Sequence, residues 1–109
     1  MELGGQSAPT YVPDFHAAVE LIGKRWAGAI IWALAQGPHY FGEISQAVPK
    51  LSDRLLSRRL RELEAEGLVE RSVHPGVPPR VSYALTEKGR ELEPAIRELG
   101  AWAKRWNGS

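Results

Sequence analysis

The sequence predicts a mainly α domain of the α+β class, and three observations predict it. Apolar residues recur at helical spacing over most of the chain, the pattern shifts toward alternation between Leu68 and Leu85, and helical spacing returns from Thr86 onward. The 109 residues, 43% hydrophobic and 25% charged, suit one domain with a modest core. Net charge is only +1, so any case for nucleic acid must rest on local clustering. There are no cysteines. That removes disulfides, thiolate metal sites and thiol redox sensing, and it fits a reducing cytoplasm. No apolar run approaches ~18 residues, so no membrane span is expected, and the N-terminus lacks the plan of a signal peptide.

Residues 1–13 begin MELGGQSAPT, small and polar, and read as a flexible tail before a single domain over 14–107. Asp14 is the expected N-cap of a first helix to Ile22, with Phe15, Ala18, Val19 and Ile22 facing inward. Gly23 interrupts it. A second helix, Lys24 to Ala35, carries WAGAIIWALA, apolar nearly all round, and is expected to be the most buried, with Trp26 and Ile30 as core. Gly37-Pro38 stops it. A short helix over 41–48 should turn Ile44 and Ala47 inward and end at Pro49.

The next helix, 52–66, has an apolar stripe at Leu56, Leu60 and Leu63, widened by Leu55. Ser52 is its expected N-cap, and Gly67 ends it. Its charge order is informative. From 50 to 61, Lys50, Arg54, Arg58, Arg59 and Arg61 oppose Asp53 alone, whereas Glu62, Glu64 and Glu66 follow with no base. The helix dipole favours the reverse order by about 0.3–1 kcal/mol per charge. An Arg58–Glu62 pair in the weaker orientation returns only about 0.2–0.5 kcal/mol. Arginines at the wrong end for the helix's own stability point to an anionic partner; a merely solvated face would scatter them.

Two helices joined at Pro49-Lys50-Leu51, the second basic at its start, form a helix-turn-helix candidate. Two strands, 68–73 and 80–85, follow around the tip HPGVPPR, where Pro78 and Pro79 remove backbone donors. A hairpin directly after a helix-turn-helix is the layout of a winged helix with a two-stranded wing. Thr86 caps the last helix, in which Pro94 predicts a bend. Leu92, Ile96, Leu99, Ala103 and Trp106, with Trp102 beside them, make a seam suited to a partner helix, so the last helix reads as a long dimerisation element.

Ser52, Arg54, Ser57 and Arg58 are the candidates for base-edge or adjacent contacts, because arginine pairs bidentately with guanine. Lys50, Arg59, Arg61 and Arg80, the last at the base of the wing, are candidates for phosphate contacts. Asp53 is expected to face a basic neighbour or a cytosine amine. Gly28 and Ala29 either admit close helix packing or leave a cavity. In the second case Trp32, Trp102 and Trp106, brought together in a dimer, would wall a pocket for a small apolar or aromatic effector. His16, His39 and His74 show no ligand spacing, and no nucleophile or phosphate loop is evident, so neither a metal or other cofactor nor an enzyme is expected.

The words ELIGKRW (20–26), GPHYFGEI (37–44), LSDRLLSRRLRELEAEGLVER (51–71) and PGVPPRVSYALTEKGREL (75–92) resemble, in order and spacing, the HxlR-type winged-helix transcriptional regulators over 14–101. The resemblance implies a bacterial or archaeal DNA-binding dimer joined through its first and last helices. It also implies helix 52–66 in the major groove of double-stranded DNA and wing 74–80 on the flanking backbone. Many members carry a cysteine just before the first helix, used by some as a redox switch, where this chain has Pro13 or Asp14. Members commonly have bulky aliphatics where Ala27, Gly28 and Ala29 stand, and a polar residue in place of Trp32. Two function classes follow: a homodimeric sequence-specific regulator, or a winged-helix protein-interaction module without DNA binding, kept open by the near-neutral charge.

Overall fold

The computed structural model describes residues 8–108, so most of the expected tail lies outside the described residues. The elements are α1 (Pro13–Ile22), α2 (Ala27–Leu34), β1 (His39–Tyr40), α3 (Phe41–Ala47), α4 (Asp53–Ala65), β2 (Val69–His74), β3 (Arg80–Leu85) and α5 (Glu87–Trp106). The sheet is antiparallel in the order β1-β3-β2. Helix-turn-helix α3–α4 followed by the β2–β3 hairpin makes this a winged helix. The third strand was not expected: two residues of β1 pair His39 with Tyr83 and Tyr40 with Ser82 on the open edge of β3.

The core is one cluster. Ile30, Ile31 and Leu34 of α2 meet Ile44 of α3, the stripe Leu56, Leu60 and Leu63 of α4, Leu68, Val69, Leu85 and Ile96. Burial of each such side chain contributes roughly 1.5–3 kcal/mol. Val48, rather than Ala47, turns inward at the end of α3; Ala47 is exposed.

The first two helices depart most from expectation. Pro13 occupies the first turn of α1 and Val12 stands at its N-cap, so Asp14 sits inside the helix and caps nothing. Phe15, Ala18 and Val19 are exposed, and only Leu21 and Ile22 pack on the core. α2 begins at Ala27, because Trp26 takes a left-handed conformation (φ 74°) that separates the two helices. Trp26 is half-buried against the core, whereas Trp32 is half exposed, so α2 is not buried all round.

α4 matches its reading. The Ser52 hydroxyl accepts from Leu55 N at 3.1 Å, and Gly67 leaves the helix at φ 75°. α5 runs as one helix through Pro94. Its seam divides: Leu92 and Ile96 pack inward, while Leu99, Trp102 and Trp106 are exposed. Thr86 caps α5 by accepting from Gly89 N at 3.1 Å and donates to Gly67 O at 2.6 Å, tying the start of α5 to the end of α4.

Candidate nucleic-acid interface

With one face of α4 in the core, its opposite face holds Ser52, Arg54, Arg58 and Arg61 in the open. The turn that aims this face is anchored by buried Val48 and Leu51, with Leu51 N donating to Val48 O at 3.0 Å. A second tie crosses the turn: the Ser45 hydroxyl donates to Asp53 Oδ1 at 2.7 Å. Asp53 therefore fastens α3 to α4; the basic neighbour expected for it is absent among the described residues.

The arginines divide by what already holds them. The side chains of Arg54 and Arg58 make no hydrogen bond or ion pair among the described residues, and both are exposed. Arg61 Nη1 donates to Ser57 Oγ at 3.1 Å, one turn away, so these two act as a unit. Arg59 is already committed: Nε donates to Arg25 O at 2.9 Å and Nη1 pairs with Glu62 Oε1 at 2.9 Å. The break between α1 and α2 leaves the Arg25 carbonyl without a helical partner, and Arg59 satisfies it. Glu62 thus pairs with Arg59, and with Lys24 at 3.6 Å, in place of the expected Arg58. Burial pushes the Glu62 carboxyl up, but the Arg59 hydrogen bond and the Lys24 and Arg59 charges outweigh it and hold it below its ordinary range.

On the wing, the Arg80 guanidinium lies over the Tyr40 ring, Cζ 3.5 Å from its centroid. Lys50 is exposed at the turn. Lys50, Ser52, Arg54, Ser57, Arg58 and Arg61 therefore share the turn and outer face of α4, Arg59 is drawn into the body, and Arg80 stands on the sheet. His39 Nδ1 lies 2.8 Å from Gly37 O, and His74 Nε2 lies 2.7 Å from Ser82 Oγ. No group of metal-ligating side chains occurs among the described residues.

Gly28, Ala29 and Trp32 come together with Trp26 and the turn residues Val48, Pro49 and Lys50 around an open apolar slot of about 580 Å³. A Cβ on Gly28 would meet nothing within 4 Å, so Gly28 opens space rather than admitting a helix. The close approach occurs at Gly100 of α5, whose Cβ would stand 2.8 Å from Trp32 Cζ3. Within the single chain Trp102 and Trp106 do not line the slot; the expectation that they wall it concerns a dimer.

Sequence and structure comparisons agree with this geometry. A family model described as HxlR-like helix-turn-helix matches residues 21–109. An uncharacterized HTH-type transcriptional regulator, YvaP of Bacillus subtilis, is 47% identical over 94 residues, 86% of this chain and 87% of that protein. The HTH-type transcriptional regulator YodB of B. subtilis is 44% identical over 97 residues, 89% of this chain and 87% of that protein. The reduced form of YodB superposes with a TM-score of 0.78, covering 89% of this chain and 95% of that one. The redox regulator HypR in its reduced form, 37% identical, superposes with a TM-score of 0.80 over 84% of this chain and 91% of its own.

Proposed function

The chain belongs to the HxlR-like helix-turn-helix family, and we propose that it is a homodimeric, sequence-specific DNA-binding transcriptional regulator acting in the cytoplasm. Double-stranded DNA is its partner, with α4 in the major groove and the wing on the flanking backbone. The observation that carries this is the pair Arg54 and Arg58, exposed and without partners among the described residues, on the face of α4 opposite its buried stripe. Ser52, Ser57 and Arg61 lie beside them, and Lys50 and Arg80 meet phosphates. Arg59 is not assigned to DNA, since its donors serve Arg25 and Glu62.

Affinity for a genomically selected operator and for random duplex, at about 50 and about 200 mM salt, tests the reading. Both Arg54→Ala and Arg58→Ala should weaken operator binding, Arg58→Ala by about 1–3 kcal/mol and more than it weakens random binding. Affinity indifferent to salt and to both changes would leave the protein-interaction module as the better reading. HypR is a redox regulator, but a chain without cysteine cannot share a thiol response.

The slot beside the turn supports a second feature, response to a small apolar or aromatic effector. Val48–Lys50 both line it and lead into α4, so an occupant would shift the recognition helix against α2. Trp26 and Trp32 on its wall supply the readout: titration with small aromatic compounds should change tryptophan fluorescence saturably, and a flat response across a broad panel would dispose of the effector.

A further inference from the structure

Tyr40 belongs to two elements at once. It ends β1, paired with Ser82 of β3, and α3 starts from it, with its N–H donating to Glu43 Oε1 at 2.8 Å. Backbone on both sides thus fixes where its ring stands. The register places Tyr40 opposite Ser82 and His74 opposite Arg80. Arg80 and Ser82 are two apart on β3 and so share one face of the sheet, with Tyr40 and His74 flanking them on that face. There the Arg80 Cζ lies 3.5 Å from the Tyr40 ring centroid. His74 approaches the same ring edge-on, centroids 5.6 Å apart, while its Nε2 is held 2.7 Å from Ser82 Oγ.

A guanidinium held by its π face keeps its in-plane N–H donors free. Arg80 has no hydrogen-bond or carboxylate partner among the described residues and is exposed. It starts the strand that leaves the wing tip, where a long side chain would otherwise sample many rotamers. Its stacking partner belongs to the helix-turn-helix unit, so the stack also joins the wing to α3.

We propose that Tyr40 is a positioning residue for DNA binding: its ring holds the Arg80 guanidinium at the base of the wing with its donors aimed at a backbone phosphate. The role rests on the DNA-binding reading above. Tyr40 itself touches no phosphate in this account. What matters is the ring face, not the hydroxyl, so phenylalanine should serve and an aliphatic side chain should not.

The full chain and its Tyr40→Phe, Tyr40→Leu, Arg80→Ala and Tyr40→Leu/Arg80→Ala variants would be titrated with mixed-sequence duplex DNA from about 50 to about 200 mM salt. Arg58→Ala serves as the reference. Arg80→Ala should lower the salt slope by about one. Tyr40→Leu should weaken binding roughly three- to tenfold, the effect of releasing one immobilised long side chain. It should add nothing once Arg80 is alanine, and Tyr40→Phe should bind as the parent does. In the free protein, the Arg80 Hδ protons should show a ring-current shift that Tyr40→Phe keeps and Tyr40→Leu loses, with melting temperatures confirming folded variants. Equal Tyr40→Leu losses with and without Arg80, or Tyr40→Phe losses matching Tyr40→Leu, would overturn the positioning role alone while Arg58→Ala still weakened binding. Unchanged affinity in both Arg58→Ala and Arg80→Ala would overturn the DNA-binding reading and the positioning role with it.

Discussion

At the scale of single residues, Arg59 shows how one side chain changes role with context. By position on α4 it belongs with Arg54 and Arg58, but it is drawn back to the Arg25 carbonyl and Glu62, and only 15% of its side chain is exposed. The pair it forms has a definite pH signature. The Glu62 carboxyl is held below its ordinary range in the folded protein. Its contribution to stability is therefore complete above the unfolded pKa of about 4.3 and is lost as pH falls through the lower folded value. The Glu62 side chain is 35% exposed, so solvent screening limits the contribution to about 0.2–1 kcal/mol. Urea unfolding from neutral pH to about pH 3 should show this loss in the parent and not in Glu62→Gln. Identical pH slopes in the two proteins would remove the pair from the account of stability.

At the scale of elements, legibility follows how local the determinants are. Everything that makes α4 lies within it or beside it: the Ser52 cap, the Leu56–Leu60–Leu63 stripe and Gly67. The outward Arg54 and Arg58 follow from the same stripe. The wing strands and the Thr86 cap were legible for the same reason. β1 was not, because two residues show no period; it exists because β3 offers an open edge to pair with. Arg59 and Arg80 find partners, Arg25 O and Tyr40, that are distant in sequence and carry no local signal. The glycines of α5 carry a sequence signal of their own. Glycine inside a helix costs about 1 kcal/mol relative to alanine, and both positions repay a close approach. A Cβ on Gly89 would stand 2.3 Å from Leu68 O, and one on Gly100 would strike the Trp32 ring. α1 departs for a different reason: Phe15, Ala18 and Val19, expected in a core within the chain, stay outside it, and only Leu21 and Ile22 join.

At the scale of the whole molecule, the exposed apolar residues of α1 and the divided seam of α5 describe one surface problem. Tyr11, Phe15 and Val19 at the N-terminal helix, and Leu99, Trp102 and Trp106 on the second half of α5, are all exposed although large and apolar. Monomers rarely leave such surface uncovered. The core cluster of the described chain takes Leu92 and Ile96 from α5 and leaves these large side chains outside it. A second copy would bury both faces, and it would place two α4 helices for half-sites about 34 Å apart or a multiple of this. Replacing both exposed tryptophans, Trp102→Glu with Trp106→Glu, should leave the buried cluster intact, because neither joins it. Sedimentation should then show a dimer for the parent and a folded monomer for the doubly substituted chain. Loss of the second α4 should weaken binding to a two-half-site operator by about 10²–10⁴, because the linked second contact disappears, while binding to a single half-site changes little. A parent that sediments as a monomer, or a doubly substituted chain that still dimerises, would place the partner face elsewhere. Agreement between the two measurements, with single half-site binding unchanged, would tie the exposed indoles to DNA affinity through assembly alone.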